Sequence, residues 1–306
     1  MRRTDDLKKK FISLASYINR SLRYGNSTNK LFQFLVIRTR YYLKQYLNKN
    51  LETINTIGTV KIKIKHAGLM ELRTSDYVDR WLYTGADFEP HVVSLFLTYL
   101  SPTNNVIDIG ANIGYFSLIA AKLIGPIGKV YSFEPSPLTC KKLRRNIELN
   151  GLRNIDVVQK AAFNKVGVEV FRIPSDEVRN SGRSSFREIE ENSLQIDVDT
   201  ITLDSILPAL STIHLIKMDI EGAEAMALEG MVDLIKRDHP FFIMELSDKY
   251  LRQLGSSGKF VIDFFRRYDY KIYLANEGLK EIDDKTRLDE DQYDIFCVPR
   301  SKAIIK

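Results

Sequence analysis

The residues best suited to chemistry in this sequence are carboxylates that interrupt or end short apolar segments. Asp108 interrupts the apolar run 106–109, and a carboxylate is costly in a protein core unless something there uses it. Gly110 and Gly114 come next, and an apolar-periodic segment then starts a helix. A strand, a glycine turn and a helix together let a ligand approach the backbone at the carboxyl end of a parallel sheet.

A second acid stands where a nucleotide-binding fold places one. Glu134 ends the next short apolar segment, 24 residues after Gly110, and an acid about 20 residues beyond such a turn usually accepts hydrogen bonds from a ribose diol. A dinucleotide fingerprint needs a middle glycine where this chain has Asn112. Asp108 would also repel a diphosphate, whereas it suits a cationic or amino-bearing ligand. The pattern therefore favours S-adenosylmethionine, which carries an ammonium group, a sulfonium and a ribose. The alternative is an ordinary sheet turn with one incidental acid.

A third group of acids follows the next buried segments. Asp219, Glu221 and Glu224 lie within six residues at the end of one predicted strand, and Glu245 ends the following strand. Ligands bind in the crevice outside the carboxyl ends of parallel strands. A hydroxyl is a poor nucleophile until a base removes its proton, and clustered carboxylates raise one another's pKa towards neutrality. Asp219 is our first candidate for that base, followed by Glu221 and Glu245.

Other roles for these acids remain open. Asp219 could bind an ammonium group or a turn amide, and Glu224 fits a helix N-terminus. We predict no metal, but Asp219 and Glu245 at the ends of neighbouring strands could also bind Mg²⁺ that activates a diol. His91, the one histidine near this predicted pocket, reads as a helix-start residue rather than a base.

Strands and helices alternate from residue 102 onwards, which predicts an α/β fold. We expect a mostly parallel seven-stranded sheet with helices on both faces, and an antiparallel excursion at 167–173. The predicted strands are 105–109, 129–133, 155–159, 213–219, 241–244, 271–275 and 294–298. The predicted division of the chain is a basic amphipathic helical arm (1–50), a lead-in region of strand and helix (51–100) and the main domain (101–306).

The arm carries the basic charge of the chain. Residues 1–50 contain twelve Lys and Arg against two Asp, a net +10 that leaves −4 for residues 51–306. Apolar residues recur there at helical spacing, at Phe11, Leu14, Ala15, Ile18 and Leu22, and again at Leu31, Leu35, Tyr42 and Tyr46. No apolar run is long enough to cross a bilayer. Such helices either lie on an anionic membrane surface or pack against the body or a partner chain.

The compartment and the partners follow from the remaining composition. Cys140 and Cys297 lack metal-ligand spacing and suggest a reducing compartment. We therefore expect a cytoplasmic protein, attached peripherally to the inner membrane surface if the arm binds lipid. The acidic body argues against nucleic acid as a partner.

Four segments resemble the FkbM family of S-adenosylmethionine-dependent methyltransferases: V-I-D-I-G-A-N-I-G-Y-F-S, F-E-P-S-P, T-L-D-S-I and K-M-D-I-E-G-A-E. The resemblance runs from about residue 85 to about residue 245 and leaves out the arm. It implies a Rossmann-like class I methyltransferase fold and O-methylation of a hydroxyl on a saccharide, glycolipid precursor or natural product. The cofactor contacts that it implies are Asp108, Gly110, Asn112 and Gly114 around the methionine end, Glu134 at the ribose and Ala162 near the adenine. Many relatives of this fold have Asp or Asn at the adenine amine, where this chain has Ala161, Ala162 and Phe163.

Two other functions stay open at this stage. One is a non-catalytic Rossmann-like module that acts through its basic arm at membranes, although a module without activity has no use for buried acids. The other is an N-methyltransferase, which would usually show a polar-Pro-Pro-aromatic tetrad after the fourth strand, where this chain has D-I-E-G.

Overall fold

The computed structural model describes residues 2–22, 38–39, 41–43, 45–47, 49–85, 88–174, 181–188, 193–283, 286 and 292–305. The chain forms two compact units: Met1–Ile64 with Leu69–Glu89 and Asp176–Gly182, and Lys65–Gly68 with Pro90–Ser175 and Arg183–Lys306. The predicted division into arm, lead-in region and main domain stays a prediction.

The first unit is built from helices and a pair of strands: α1 (Arg2–Leu22), α2 (Leu51–Asn55), β1 (Thr59–Ile64), β2 (Gly68–Arg73) and α3 (Tyr77–Thr84). Within it α1 packs on α2 and α3 and buries Ile12, Ala15 and Ser16. Tyr83 Oη donates to Ser13 Oγ at 3.0 Å, which ties α3 to α1.

The buried side of α1 differs from the predicted apolar side. Ala15 is buried as part of that side, but Phe11 and Leu14 are exposed, together with Tyr17. Leu31 and Leu35 of the second predicted arm helix lie outside the described residues. In the described parts of the chain, no helix combines the length and apolarity needed to cross a membrane.

The second unit contains the large sheet and its helices. Its elements are α4 (Pro90–Tyr99), β3 (Val106–Ile109), α5 (Tyr115–Ile124), β4 (Val130–Phe133), α6 (Pro137–Leu149), β5 (Ile155–Val158), β6 (Ala161–Ala162), β7 (Gly167–Ile173), β8 (Leu194–Ile201), α7 (Leu203–Ile206), β9 (Leu215–Met218), α8 (Glu224–Glu229), α9 (Val232–Asp238), β10 (Phe241–Leu246), α10 (Asp248–Gln253), α11 (Gly258–Arg267), β11 (Tyr270–Leu274), β12 (Lys280–Glu281) and β13 (Tyr293–Pro299), with 3₁₀ turns at Ser181–Arg183 and Leu207–Ala209.

The strand order is β12-β11-β13-β10-β9-β3-β4-β5. Strands β10, β9, β3, β4 and β5 are parallel to one another. Strand β13 runs antiparallel to both of its neighbours, β10 and β11. The predicted mostly parallel α/β sheet is therefore confirmed, and the two-residue β12 extends its seven strands at one edge. The predicted excursion is β7, which pairs antiparallel with β8 in a separate three-stranded sheet.

The two faces of the sheet differ in polarity. One face is apolar and packs Phe242 against Phe265 and Tyr270. The register puts Asp108 of β3 beside Lys217 of β9 on the opposite face. All residues of β3 and β9 are buried, so these two charges lie inside the protein, near the carboxyl ends of the central strands.

Candidate active site

The glycine turn after β3 is shaped by close contacts that exclude side chains. Gly110 has a φ of +78°, and a Cβ there would lie 2.0 Å from the carbonyl oxygen of Asp219. Gly114, with a φ of +91°, caps the start of α5, and a Cβ there would lie 2.4 Å from Leu143 Cδ1. Asn112, between them, also has a positive φ of 47°. Gly110 is therefore required on two grounds, because L residues rarely adopt this backbone and a backbone oxygen occupies the place of a Cβ. At Gly114 the positive φ is the main reason, since the Leu143 side chain can move.

Glu134 lies directly against this turn. Its Oε2 accepts from Asn112 N at 3.0 Å, and its Oε1 accepts from Ser136 N at 2.9 Å. The side chain is buried, and this burial raises the pKa of Glu134 to about 7 in spite of the two amides. Each oxygen keeps a lone pair that a ligand hydroxyl can use.

Asp108 is the most deeply buried acid of the turn. Its Oδ2 accepts from Ser117 Oγ at 2.5 Å, and Ser117 Oγ in turn lies 2.8 Å from Ser132 Oγ. Its Oδ1 is buried without a hydrogen-bond partner among the described residues. Burial raises the pKa of Asp108, while Lys217 and the Ser117 hydroxyl lower it.

These residues fit S-adenosylmethionine. The unpartnered Asp108 Oδ1 is an acceptor suited to an ammonium group, and Glu134 offers acceptors for ribose hydroxyls. The turn at Gly110 lets a ligand approach the backbone closely. Ala162 is buried in the core and pairs with Ile201, so its predicted place near the adenine stays a prediction.

The carboxylate turn, residues 219–224 after β9, packs against the glycine turn, residues 110–114. The contact is between the carbonyl oxygen of Asp219 and Gly110. Asp219 Oδ2 pairs with Lys217 Nζ at 3.1 Å. Lys217 is buried and lies 5.0 Å from the centre of the Phe116 ring. Asp219 itself is more exposed than Lys217, so its carboxylate is the outward member of this ion pair.

Glu224 builds the turn rather than facing outward. Its Oε1 accepts from Ile220 N and Gly222 N, both at 3.2 Å. It begins α8 and is buried, and burial raises the pKa of Glu224 to about 7.

Glu221 stands at the tip of the turn with a φ of 55°, a left-handed conformation that costs energy in a residue other than glycine. Its backbone carbonyl accepts from Ser185 Oγ at 3.0 Å, and its Oε2 accepts from Arg187 Nη2 at 3.2 Å. Burial, and next the nearby Asp219, raise the pKa of Glu221 to about 7 against the opposing effect of Arg187.

Glu245 lies one strand away, at the same edge of the sheet. The β9–β10 pairing ends at Met218 and Met244, one residue before Asp219 and Glu245. On its other side Glu245 pairs with Asp294 of β13, whose Oδ2 lies 2.6 Å from His91 Nε2 at the start of α4. No group of three or more His, Cys, Asp or Glu in the described chain is arranged to hold a metal ion.

Three site residues escaped the sequence analysis. Lys217 had a usable signal, because a charge inside an apolar strand is the same anomaly that marked Asp108. Ser117 and Arg187 had none, since a serine in an apolar helix and an arginine in a polar loop are both ordinary.

The fold and these turns define a Rossmann-like protein of the methyltransferase class. The sequence matches the Methyltransferase FkbM domain family over residues 108–272, just over half of the 306 residues. The chain therefore belongs to the FkbM methyltransferase family, as the motifs predicted.

Individual relatives match over shorter stretches. Methyltransferase sdnD of Sordaria araneosa is 28% identical over 155 residues, which cover 41% of this chain and 60% of that protein. A protein-L-isoaspartate O-methyltransferase of Methanothrix thermoacetophila is 36% identical over 93 residues, 29% of this chain and 44% of that protein. The crystal structure of a methyltransferase FkbM from Methylobacillus flagellatus shares 18% identity, covers 92% of this chain and 58% of that chain, and superposes with a TM-score of 0.40. The chain thus spans less than two thirds of the length of each of these proteins.

Proposed function

We propose that this protein is an S-adenosylmethionine-dependent O-methyltransferase that acts on a hydroxyl of a saccharide, glycolipid precursor or natural product. The observation that carries the proposal is the contact between the two turns. Gly110 has no room for a Cβ because the Asp219 carbonyl is packed against it. Acids suited to deprotonate a hydroxyl therefore adjoin the turn suited to the methyl donor.

The bound cofactor would supply an electrophilic methyl group on a sulfonium. Asp108 and Glu134 would hold that cofactor, whose sulfur would keep the electron pair when the methyl group is transferred. The acceptor proton passes to a protein carboxylate. Alignment of the reactants contributes up to roughly 7–11 kcal/mol to such reactions, and a positioned base typically adds about 10²–10⁴-fold.

Among the candidate bases we favour Glu221, whose Oε2 accepts from Arg187 Nη2 at 3.2 Å and whose side chain is partly exposed. A base works best when its pKa lies near the working pH, and the pKa of Glu221 is raised to about 7. Asp219, our first candidate from the sequence, is paired with Lys217 as Glu221 is with Arg187, so it becomes the second choice only because of the raised pKa of Glu221. Glu245, beside Asp294, is the third.

Transfer to oxygen has two supports. The carboxylates at the edge of β9 accept hydrogen bonds from hydroxyls, and one relative is named as an O-methyltransferase. A non-catalytic function does not explain a carboxylate held beside the cofactor turn. An N-methyltransferase accommodates the same carboxylate, since it accepts from an amine N–H as well as from a hydroxyl, so the chemistry of the labelled product decides between oxygen and nitrogen.

The test compares three proteins: wild type, Glu221→Gln and Asp219→Asn. Each is incubated with methyl-labelled S-adenosylmethionine and extracts of its own host. We expect the wild type to label a hydroxyl-bearing product, and Glu221→Gln to bind the cofactor normally while turning over about 10²–10⁴ times more slowly. A larger loss in Asp219→Asn would move the base to Asp219. Turnover that stops on addition of a chelator would replace the base with a metal. Binding of NAD instead of the adenosyl ligands would refute the function.

A further inference from the structure

Arg187 lies beside the carboxylate turn and is almost fully buried, with 4% of its surface exposed. Its Nη2 donates to Glu221 Oε2, and its guanidinium carbon lies 3.8 Å from the centre of the Tyr250 ring. A planar guanidinium that bonds a carboxylate at its edge and stacks on an aromatic ring is fixed in both position and orientation.

The backbone around Arg187 is anchored as well. Arg187 N donates to Ser185 Oγ at 3.2 Å, and the same hydroxyl donates to the Glu221 carbonyl. Ser185 also exchanges two backbone hydrogen bonds with Arg172 of β7, at 2.8 and 2.9 Å. The segment is therefore tied to both β7 and the carboxylate turn.

Tyr250 also contacts the carboxylate turn, through its backbone. A Cβ on Gly222 would lie 2.7 Å from the Tyr250 carbonyl oxygen, so the backbone next to Glu221 packs against Tyr250. The ring of the same tyrosine stacks with the Arg187 guanidinium. Arg187, Tyr250 and the carboxylate turn therefore pack together.

The charges around Glu221 explain what this assembly does. Burial disfavours the charged form of Glu221 most, followed by Asp219 and Glu224, whereas Arg187 is the cation that favours it. Lys217 pairs with Asp219 on the far side. Glu221 is also more exposed than Arg187, at 16% against 4% of the side chain, so the carboxylate faces outward while its cation lies behind it.

We propose that Arg187 is a positioning residue, which holds the Glu221 carboxylate charged and aimed at the acceptor hydroxyl. The part played by Glu221 rests on the proposed function, whereas the control that Arg187 exerts on Glu221 is a property of this chain alone.

The test follows the Glu221 carboxyl by ¹³C NMR in protein labelled at glutamate, with the signal identified by its absence in Glu221→Gln. We expect Arg187→Met to raise the titration midpoint of Glu221 by about one pH unit or more, because an opposite charge at this range shifts a carboxyl by roughly 1–3 units. Arg187→Lys should restore part of the shift. Arg300→Met is the matched control, since that arginine pairs with Asp269 instead, and should leave the midpoint unchanged.

A second measurement needs no variant of Arg187. In the wild type the ¹⁵Nε signal of Arg187 should move with the same midpoint as Glu221, and it should stay still in Glu221→Gln. An Arg187 signal that ignores pH, or a Glu221 midpoint that is the same in folded Arg187→Met, would overturn the proposal.

The proposed function is tested by a separate measurement, the binding of S-adenosylhomocysteine. If S-adenosylhomocysteine does not bind, the methyltransferase activity is refuted while the titration result stands. With an acceptor identified, Arg187→Met should shift the acid limb of the rate profile upward by the same amount as the NMR midpoint and leave cofactor affinity unchanged.

Discussion

Three glutamates near the two turns share a raised pKa. The pKa values of Glu134, Glu221 and Glu224 are each raised to about 7, with burial as the largest cause. Their surroundings differ, however. Backbone amides surround Glu134 and Glu224, whereas Glu221 has a cation. Only Glu221 therefore combines a near-neutral pKa with a partner that keeps it charged.

We expect Glu134→Gln to weaken S-adenosylhomocysteine binding by about 1–3 kcal/mol, the typical loss when a buried partner is removed. Wild-type affinity should also fall as the pH drops from 8 to 6, because protonation of Glu134 removes an acceptor for the ribose. Titration calorimetry at both pH values measures this, with the exposed Glu148→Gln as control. Equal affinities for the wild type and Glu134→Gln at both pH values would contradict the role of Glu134.

At the level of elements, the site is a junction between two turns at the ends of β3 and β9. The first turn contains Gly110, which packs against the carbonyl oxygen of Asp219, and the second contains Gly222, which packs against the carbonyl oxygen of Tyr250. The positions of the carboxylates depend on both of these close contacts.

Gly110→Ala should therefore destabilise the protein much more than Gly151→Ala. Both glycines have positive φ, 78° and 62°, but the space around Gly151 is open within 4 Å. Gly151→Ala should cost about 1 kcal/mol for its backbone alone, and Gly110→Ala about 1–3 kcal/mol more for overpacking. Urea unfolding measures the difference, and equal losses would show that the two turns can separate without cost.

Over the whole molecule, the buried acids make stability depend on pH. Each of the three glutamates binds its proton more tightly in the folded state than in the unfolded chain, so folding stability falls as the pH rises from about 4.5 to about 7. His214, whose pKa is lowered by burial, acts in the opposite direction over the upper part of that range.

We expect the melting temperature to be higher near pH 5.5 than at pH 8, and Glu224→Gln to flatten this dependence. The amide can keep accepting from Ile220 N and Gly222 N but cannot ionise. Calorimetric melting across the pH range measures both effects. A profile that Glu224→Gln leaves unchanged would mean that Glu224 titrates normally.

The basic arm remains a proposal for reversible attachment to an anionic membrane, where a glycan acceptor would be concentrated. Its support is the outward side of α1, which exposes Phe11, Leu14 and Tyr17 on a segment rich in Lys and Arg. Serine at all three positions should reduce binding to anionic vesicles without unfolding the first unit, because Ile12, Ala15 and Ser16 make the packing contacts.

Vesicle sedimentation measures this binding, which should also weaken steeply with salt, since charges are screened over about 8 Å at physiological ionic strength. Ile127→Ser, another exposed apolar position, is the control. Wild-type protein that ignores anionic vesicles at low salt would leave the arm as a packing or partner surface.

Local patterns in the sequence determined the fold class, the family and the turn residues. Alternating apolar segments predict β3, β4 and β9, and the positions of Asp108, Gly110 and Glu134 relative to those strands follow from chain order. These features could be predicted because each depends on residues close together in the chain.

Only the tertiary structure decided which acid has which neighbours. Arg187 reaches Glu221 across 34 positions of sequence, and Tyr250 reaches Arg187 from a third segment. The sequence analysis ranked Asp219 above Glu221. Both are acids in the same turn, however, and nothing local to them supports that order. The distinction arises from burial and from Arg187, a cation brought in by a distant segment, since a carboxyl group responds to all charges within a few ångströms, whatever their place in the chain.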